Sequence, residues 1–320
     1  MKSVLLIGLG NVGVGYDSAD SSSLKVLSHA RAFSSHPGFY LAGGVDPNAD
    51  RRLRLEAGYT VPTYIDIAKG IHALSPDLVV VATPTELHLE TVKSVFAAGK
   101  PKAMLCEKPL AYDLGEAKQI VAICAKHDCA LYVNFFRQAE PGVMEVRARL
   151  ADGRIGSPLK GVVWYSKGML NSGVHFLSLL QNLLGDVTTV KLINPGRLWR
   201  GSDSEPDVHF TFADGRVVFL ACREENFFHN SIELIAPNGR LRYEFGGAHI
   251  AWQGIQEDTR FTGYTRLSDF IETIPSDFDR IQWYVVDQLA GAFKGRPAQL
   301  CSGNEALRTQ EILDTIKEQI

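Results

Sequence analysis

The sequence predicts an α/β protein: a doubly wound, mostly parallel sheet first, then an α+β part with a large, mostly antiparallel sheet. Three observations carry that expectation. Val4–Ile7, Leu78–Ala82, Ala103–Cys106 and Ala130–Val133 are short continuous apolar runs separated by helical stretches, as strands buried on both faces require. After Asn134-Phe135-Phe136-Arg137, period-two alternation takes over, with hairpin turns at Ala213-Asp214-Gly215-Arg216 and Pro237-Asn238-Gly239-Arg240. The chain of 320 residues also exceeds the roughly 250 to 300 that a single core reaches. Two domains are therefore expected, 1–135 and 136–320.

Val4 to Ile7 reads as the first strand and runs into Gly8-Leu9-Gly10-Asn11-Val12-Gly13. A strand followed by G-x-G-x-x-G allows a tight turn and close backbone approach to a pyrophosphate. Gly8, Gly10, Asn11, Val12 and Gly13 are thus candidate dinucleotide contacts. The next strand, Phe39 to Val45, ends in Asp46, a carboxylate suited to ribose hydroxyls and repellent to a 2′-phosphate. That favours NAD and leaves NADP possible; Arg51 and Arg52 read as solvated helix residues. Asp46 lies 33 residues beyond Gly13, against the usual 20 or so. The serine-rich stretch from Tyr16 to Ser23 accounts for the excess. It reads as an insertion (16–24) between the glycine turn and most of the first helix, expected to act as a lid or substrate-contacting loop with Tyr16 and Asp17.

Helices are expected at Asp50–Ala57, Ile65–Leu74, His88–Ala98 and Leu114–His127. The Leu78–Ala82 strand leads into Thr83-Pro84, and the Ala103–Cys106 strand ends in Glu107-Lys108-Pro109. Pro109 fixes its own φ and holds Lys108 extended, so this turn is stiff. Ligands of α/β sheets bind outside the carboxyl ends of the strands, which makes Lys108 a candidate proton-transfer group.

The second half begins with a helix at 142–151. Strand-like segments follow at Leu159–Tyr165, Val187–Ile193, Val208–Phe212, Arg216–Arg223, Ser231–Ile235 and Arg240–Phe245. Helices at Asp279–Lys294 and Asn304–Lys317 close the chain. Between the first two strands, Asn171-Ser172-Gly173-Val174-His175 leads an apolar helical pattern. His175 is expected on its first turn, where a helix N-terminus disfavours imidazolium.

Composition narrows the partners. A net charge of −3 with 22% charged residues suggests no polyanion surface, hence no nucleic acid. No apolar run reaches a membrane span, and the N-terminus lacks a signal-peptide core. The five cysteines show no paired Cys-x-x-Cys zinc spacing, so reduced thiols, a cytoplasmic location and no structural metal are expected.

Taken together, Gly8-x-Gly10-x-x-Gly13, Thr83-Pro84 with His88, and Glu107-Lys108-Pro109 resemble the glucose–fructose oxidoreductase / inositol dehydrogenase / MocA family. The resemblance implies an N-terminal Rossmann domain, a C-terminal α+β domain for substrate and oligomerisation, and dimers or tetramers packed through the open sheet. It implies hydride transfer between nicotinamide and a carbinol carbon of a sugar, polyol or nucleotide-sugar, with Lys108 and His175 catalytic. Thr83, Pro84, His88, Glu107 and Lys108 would contact the cofactor, His88 lying beside the nicotinamide or acting as a cap. Lys108, Tyr165, Asn171 and His175 would contact substrate, although an aromatic pair such as Trp164-Tyr165 on a sheet is more often core. Asn171 stands where the family usually has aspartate. The Lys108–Pro109 peptide would be cis. At finer grain, Gly15-Tyr16-Asp17, Ser28-His29-Ala30 and Trp164-Tyr165-Ser166-Lys167-Gly168 resemble members linked to surface-polysaccharide or nonulosonic-acid sugar synthesis; His29 itself receives no role. Two alternatives stay open: an NAD-dependent glycosidase that oxidises C3 transiently, and a non-catalytic dinucleotide-bound regulator.

Overall fold

A computed structural model describes residues 1–17 and 24–320. Residues 18–23, most of the expected lid, lie outside the described residues. The chain divides into two compact units, Met1–Ala139 with Asp279–Glu311, and Glu140–Phe278 with Ile312–Ile320. A single division after residue 135 does not describe this arrangement. Helix Ile281–Ala292, expected in the second domain, belongs to the first unit. Its Val285, Val286, Leu289 and Ala290 are buried in the same apolar cluster as Phe33, Phe39 and Val4. An apolar helical face states in the sequence that it must be covered, not by what.

In the first unit, strands β1 (Lys2–Ile7), β2 (Phe39–Val45), β3 (Thr63–Tyr64), β4 (Leu78–Val81), β5 (Ala103–Cys106) and β6 (Ala130–Val133) are parallel. Their spatial order is β3-β2-β1-β4-β5-β6, with strand Cys301–Ser302 added antiparallel to the β6 edge. The order reverses between β1 and β4, and that switch point is where a doubly wound sheet opens a crevice. Helices α1 (His29–Ser35), α2 (Ala49–Tyr59), α3 (Ile67–Leu74), α4 (His88–Ala98) and α5 (Leu114–Lys126) provide the crossovers. Four of them begin at a side-chain cap: Ser28, Asn48, Asp66 and Asp113 each accept from the backbone N–H three residues on, satisfying a donor that the helix itself leaves open. At the amino ends of the central strands, Asp77 ties β1, β4 and β5 together through Ser3, Lys2 and Lys102.

The second unit starts with α6 (Pro141–Ala151), β7 (Leu159–Tyr165) and α7 (Val174–Leu184). Strands β8 (Val187–Asn194), β9 (Leu198–Arg200), β10 (Asp203–Ser204), β11 (Asp207–Phe212), β12 (Gly215–Ala221), β13 (Ser231–Ala236) and β14 (Gly239–Glu244) follow, then β15 (His249–Glu257), β16 (Thr265–Leu267) and β17 (Glu272–Ile274). Among the described residues they form a nine-stranded sheet, β16-β15-β14-β13-β7-β12-β11-β8 with β17 on β15, and a separate β9–β10 hairpin. Pairing is antiparallel except between β7 and β12. Alternation decides the faces: Leu159, Val163 and Tyr165 of β7 are buried, whereas Lys160 and Trp164 are exposed. No helix among the described residues is long and apolar enough to cross a membrane.

Candidate functional site

The glycine turn is built by close approach. Gly8 sits at φ +94°, and a Cβ there would lie 2.4 Å from the Ala82 carbonyl oxygen; one on Gly13 would lie 2.3 Å from that of Gly8. At Gly10 a Cβ would meet nothing within 4 Å. Gly8 and Gly13 let backbones touch, and Gly10 leaves open space in front of the turn. That space belongs to a cleft of about 630 Å³ at the carboxyl ends of β1, β2 and β4. Of the expected dinucleotide contacts, Gly8, Gly10, Asn11, Val12, Asp46, Thr83 and Pro84 line it. Tyr16, Arg51, Ile65, Ile67, Leu87 and Thr91 are also in the wall. Tyr16 was expected near the ligand; Ile65, Ile67 and Leu87 were not legible as ligand contacts, because each also reads as an ordinary helix-start or loop residue.

Asp46 is 2% exposed. Its Oδ2 accepts the Leu9 backbone N–H at 2.8 Å, and its Oδ1 accepts that of Asn48 at 2.8 Å. A carboxylate has about four acceptor positions, so it can brace the turn and still receive a ribose hydroxyl. Arg51, expected to be merely solvated, stands 3.4 Å from Asp46 Oδ2 and lines the cleft. Arg52 donates to the backbone carbonyls of Asp46 and Pro47. Cavity, open glycine face and carboxylate together fit a dinucleotide.

Two residues assigned to the cofactor turn out to hold loops together. His88 is fully buried; its Nδ1 lies 3.1 Å from the Leu110 carbonyl oxygen and its Nε2 3.1 Å from that of Thr83. The ring clamps the loop after β4 to the turn after β5, so it presents no ring nitrogen to the cleft. Burial lowers its pKa, against the upward pull of the two carbonyls. Glu107 is likewise occupied. Its Oε1 is 2.7 Å from His29 Nε2 and accepts Asn134 Nδ2 at 2.7 Å. Burial pushes the carboxyl up, but the His29 and Asn134 bonds and the Lys108 charge outweigh it and leave the pKa below its ordinary value. His29, given no role from sequence, is therefore part of the Glu107-Lys108-Pro109 turn; no local signal could have revealed a contact 78 residues away. The Lys108–Pro109 peptide is cis. Lys108 follows β5, two strands from β1, so it lies along the same carboxyl edge as the glycine turn, roughly 10 Å across by strand spacing.

In the second unit, Tyr165 is not a substrate contact. It is fully buried, donates its hydroxyl to the Pro206 carbonyl at 2.6 Å and packs against Phe219. Its parity with Val163 and Leu159 on β7 puts it on the covered face. His175 is 8% exposed and is the second residue of α7, on its first turn as expected. A π-helical turn, Met169–Gly173, leads continuously into α7, so the open end of the helical run lies a turn earlier and the helix-end dipole is weaker at His175 than a free N-terminus would make it. The start of that run is capped by two buried carboxylates that the sequence did not announce. Asp203 accepts the N–H groups of Leu170 and Asn171, and Glu205 those of Lys167 and Gly168. Asn171 itself donates its side-chain amide to the Lys167 carbonyl at 3.1 Å. Carboxylate charge thus returns near position 171 from the β9–β10 hairpin and the residue after it. Among the described residues, no group of three or more His, Cys, Asp or Glu is arranged to hold a metal.

Residues 2–135 match the family described as an oxidoreductase family with an NAD-binding Rossmann fold. An inositol 2-dehydrogenase of Streptomyces avermitilis is 30% identical over 59% of this chain and 57% of its own. The 2,7-anhydro-N-acetylneuraminate hydratase of Escherichia coli is 26% identical over 92% of this chain and 81% of its own. The first curated relatives are matched over 26 to 57% of their length, less than two thirds. Among solved structures, UDP-N-acetylglucosamine 3-dehydrogenase GnnA from Acidithiobacillus ferrooxidans has a TM-score of 0.76 at 16% identity, over 100% of this chain and 97% of that one; at that identity the likeness is one of fold. Residues 2–135, which hold the glycine turn, the bracing carboxylate and the Glu-Lys-Pro turn, are thus similar to the glucose–fructose oxidoreductase / inositol dehydrogenase / MocA family.

Proposed function

We propose that the protein is an NAD(P)-dependent oxidoreductase acting on a carbinol carbon of a sugar, polyol or nucleotide-sugar. The observation that carries this reading is one edge of one sheet. It bears a dinucleotide-sized cleft with an open glycine face and, two strands away, a lysine on a braced turn. The cofactor supplies the hydride exchange at nicotinamide C4. The glycine turn and Asp46 hold and orient it, and Thr83 and Pro84 form the neighbouring wall. In the oxidation direction Lys108 hydrogen-bonds the reacting hydroxyl oxygen and stabilises the developing alkoxide, and the role of general base is assigned to His175. Either residue can return the proton in the reverse direction.

One relative's name supports the substrate class, an inositol dehydrogenase being named for a polyol; the fold neighbour GnnA is named for a nucleotide-sugar. A role in surface-polysaccharide sugar metabolism is the finer form of the proposal. The exposed face of the large sheet, with Lys160, Trp164 and Ile235, supports a homodimer or homotetramer through that surface.

The hydratase that aligns over most of the chain favours a second reading. Hydration changes no net oxidation state, so on a NAD-binding fold the cofactor would be reduced and reoxidised within each cycle. A transiently oxidising glycosidase shares that property. Incubating the protein with NAD or NADP and a panel of sugars, polyols, nucleotide-sugars and chromogenic glycosides separates the readings. The dehydrogenase accumulates reduced cofactor in proportion to product; the recycling enzyme forms product with none. No product from any class, with cofactor bound, would leave the regulator.

A further inference from the structure

The first helix of the sheet is interrupted, and the way it resumes leads to the Lys108 turn. In a continuous helix the carbonyls of Val12 and Gly13 would accept from residues four positions on. Here Val12 accepts the N–H of His29 at 3.0 Å and Gly13 that of Ala30 at 2.9 Å. The ladder skips thirteen positions and continues in register. The loop is closed at its base by Asp17, whose Oδ2 accepts the N–H groups of Leu27 and Ser28. Val26 exchanges backbone bonds with Asp279 and Gln282, and Ser28 caps α1 by accepting from Arg31.

This closure delivers His29, 1% exposed, to Glu107. The Nε2–Oε1 distance is 2.7 Å, and the same oxygen takes the amide of Asn134, which also reaches Gln282 Oε1 at 3.3 Å. An ionised carboxylate only accepts, so the His29 proton is on Nε2. Nδ1 is buried with no partner among the described residues, where a second proton would be an orphaned donor. The start of α1 and the ends of β5 and β6 therefore converge on one carboxylate, and the next residue is Lys108.

We infer that His29 is a positioning residue: by holding Glu107 it sets the Glu107-Lys108-Pro109 turn, and the bonds of His29 and Ala30 to the Val12 and Gly13 carbonyls place it there. The inference rests on Lys108 acting in the reaction proposed above. The ionisable groups around Glu107 are His29, Lys108, His88 and Cys106. Removing the His29 donor leaves the carboxyl easier to protonate, so the acid limb of the pH–rate profile moves to higher pH.

The test compares His29→Leu with His29→Gln, whose amide nitrogen can reach the position of Nε2. The leucine variant is expected to lose roughly 10- to 100-fold in kcat, the scale of a misplaced catalytic group. Its KM for cofactor should be little changed and its acid limb shifted upward, while the glutamine variant recovers most of the rate. Equal losses in both variants, or no loss in either, would overturn the inference. A long-range proton–nitrogen spectrum of the wild-type protein tests the contact without turnover and covers a leucine variant that fails to fold. A proton on His29 Nε2 is expected; one on Nδ1 alone overturns the contact. Wild-type turnover in Lys108→Ala would instead refute the reaction, with the spectrum still deciding the His29–Glu107 bond.

Discussion

Replacing Asp46 by asparagine separates the two tasks of that carboxylate. In the native site Oδ2 takes the Leu9 N–H and Oδ1 the Asn48 N–H, both at 2.8 Å, in a position 2% exposed. Asparagine offers one oxygen and turns its amide NH2, itself a donor, toward the other N–H. One buried backbone N–H is orphaned, at a cost of about 1 to 3 kcal/mol in stability. A charge-assisted bond to the ribose is also lost, about 1.5 to 3 kcal/mol, or roughly 10- to 100-fold in NAD affinity. NADP should fare differently. The carboxylate no longer repels a 2′-phosphate, and Arg51, 48% exposed and 3.4 Å from the same oxygen, is released to meet it. Fluorescence titration with the two reduced cofactors should show the preference for NAD over NADP falling at least tenfold, through weaker NAD binding more than tighter NADP binding. Arg51→Ala should act in the opposite sense, weakening NADP alone. An unchanged ratio in Asp46→Asn would refute the assignment of this carboxylate to the ribose and leave it only the bracing of the glycine turn.

Away from the cleft, Asp77→Asn tests the amino ends of the central strands. Burial raises the Asp77 carboxyl, but the Lys102 bond, the Ser3 N–H and the charges of Lys102 and Lys2 bring it down to about 2. A depressed carboxylate stabilises the fold above its unfolded value near 4 and loses that contribution as pH falls toward 2. Allowing for screening of the exposed lysines, the variant should lose about 1 to 2 kcal/mol at neutral pH, with the gap closing as pH falls through that window; a gap independent of pH in urea titrations contradicts the linkage. Tyr165→Phe leaves the Pro206 carbonyl without its donor and should cost about 1 to 2 kcal/mol with kcat/KM unchanged. A loss of kcat/KM without a loss of stability would return Tyr165 to the substrate site. Gly168→Ala forces a Cβ to within 2.1 Å of Asp203 Oδ2 at φ +76° and should cost more than 2 kcal/mol by straining the backbone and displacing the Asp203 cap. Wild-type thermal stability would show that the cap is dispensable.

What the sequence made legible was local or periodic. Continuous apolar runs gave the parallel strands, and the long interval from Gly13 to Asp46 revealed an insertion whose effect on the helix ladder the structure makes visible. Parity along Leu159–Tyr165 contained the answer for Tyr165, but the adjacent aromatics Trp164 and Tyr165 read as a pair, as core or as pocket, rather than as one residue per face. Contacts between distant residues were not legible. His29 and Glu107 meet only because the sheet brings the start of α1 to the end of β5. Asp203 and Glu205 cap the lead-in to α7 from a hairpin that looked like an undistinguished turn. The destination of helix Ile281–Ala292 was hidden for the same reason, since hydrophobic burial is not directional.

The central claim is that Lys108 acts directly on a reacting hydroxyl beside a bound dinucleotide. Its most direct test is turnover of Lys108→Ala against wild type, with whichever substrate and cofactor the panel identifies, at matched cofactor occupancy. A positioned proton-transfer group is worth roughly 10² to 10⁴ in rate, so kcat should fall by that factor while cofactor affinity stays within a few-fold of wild type. Wild-type kcat in the alanine variant would contradict the account.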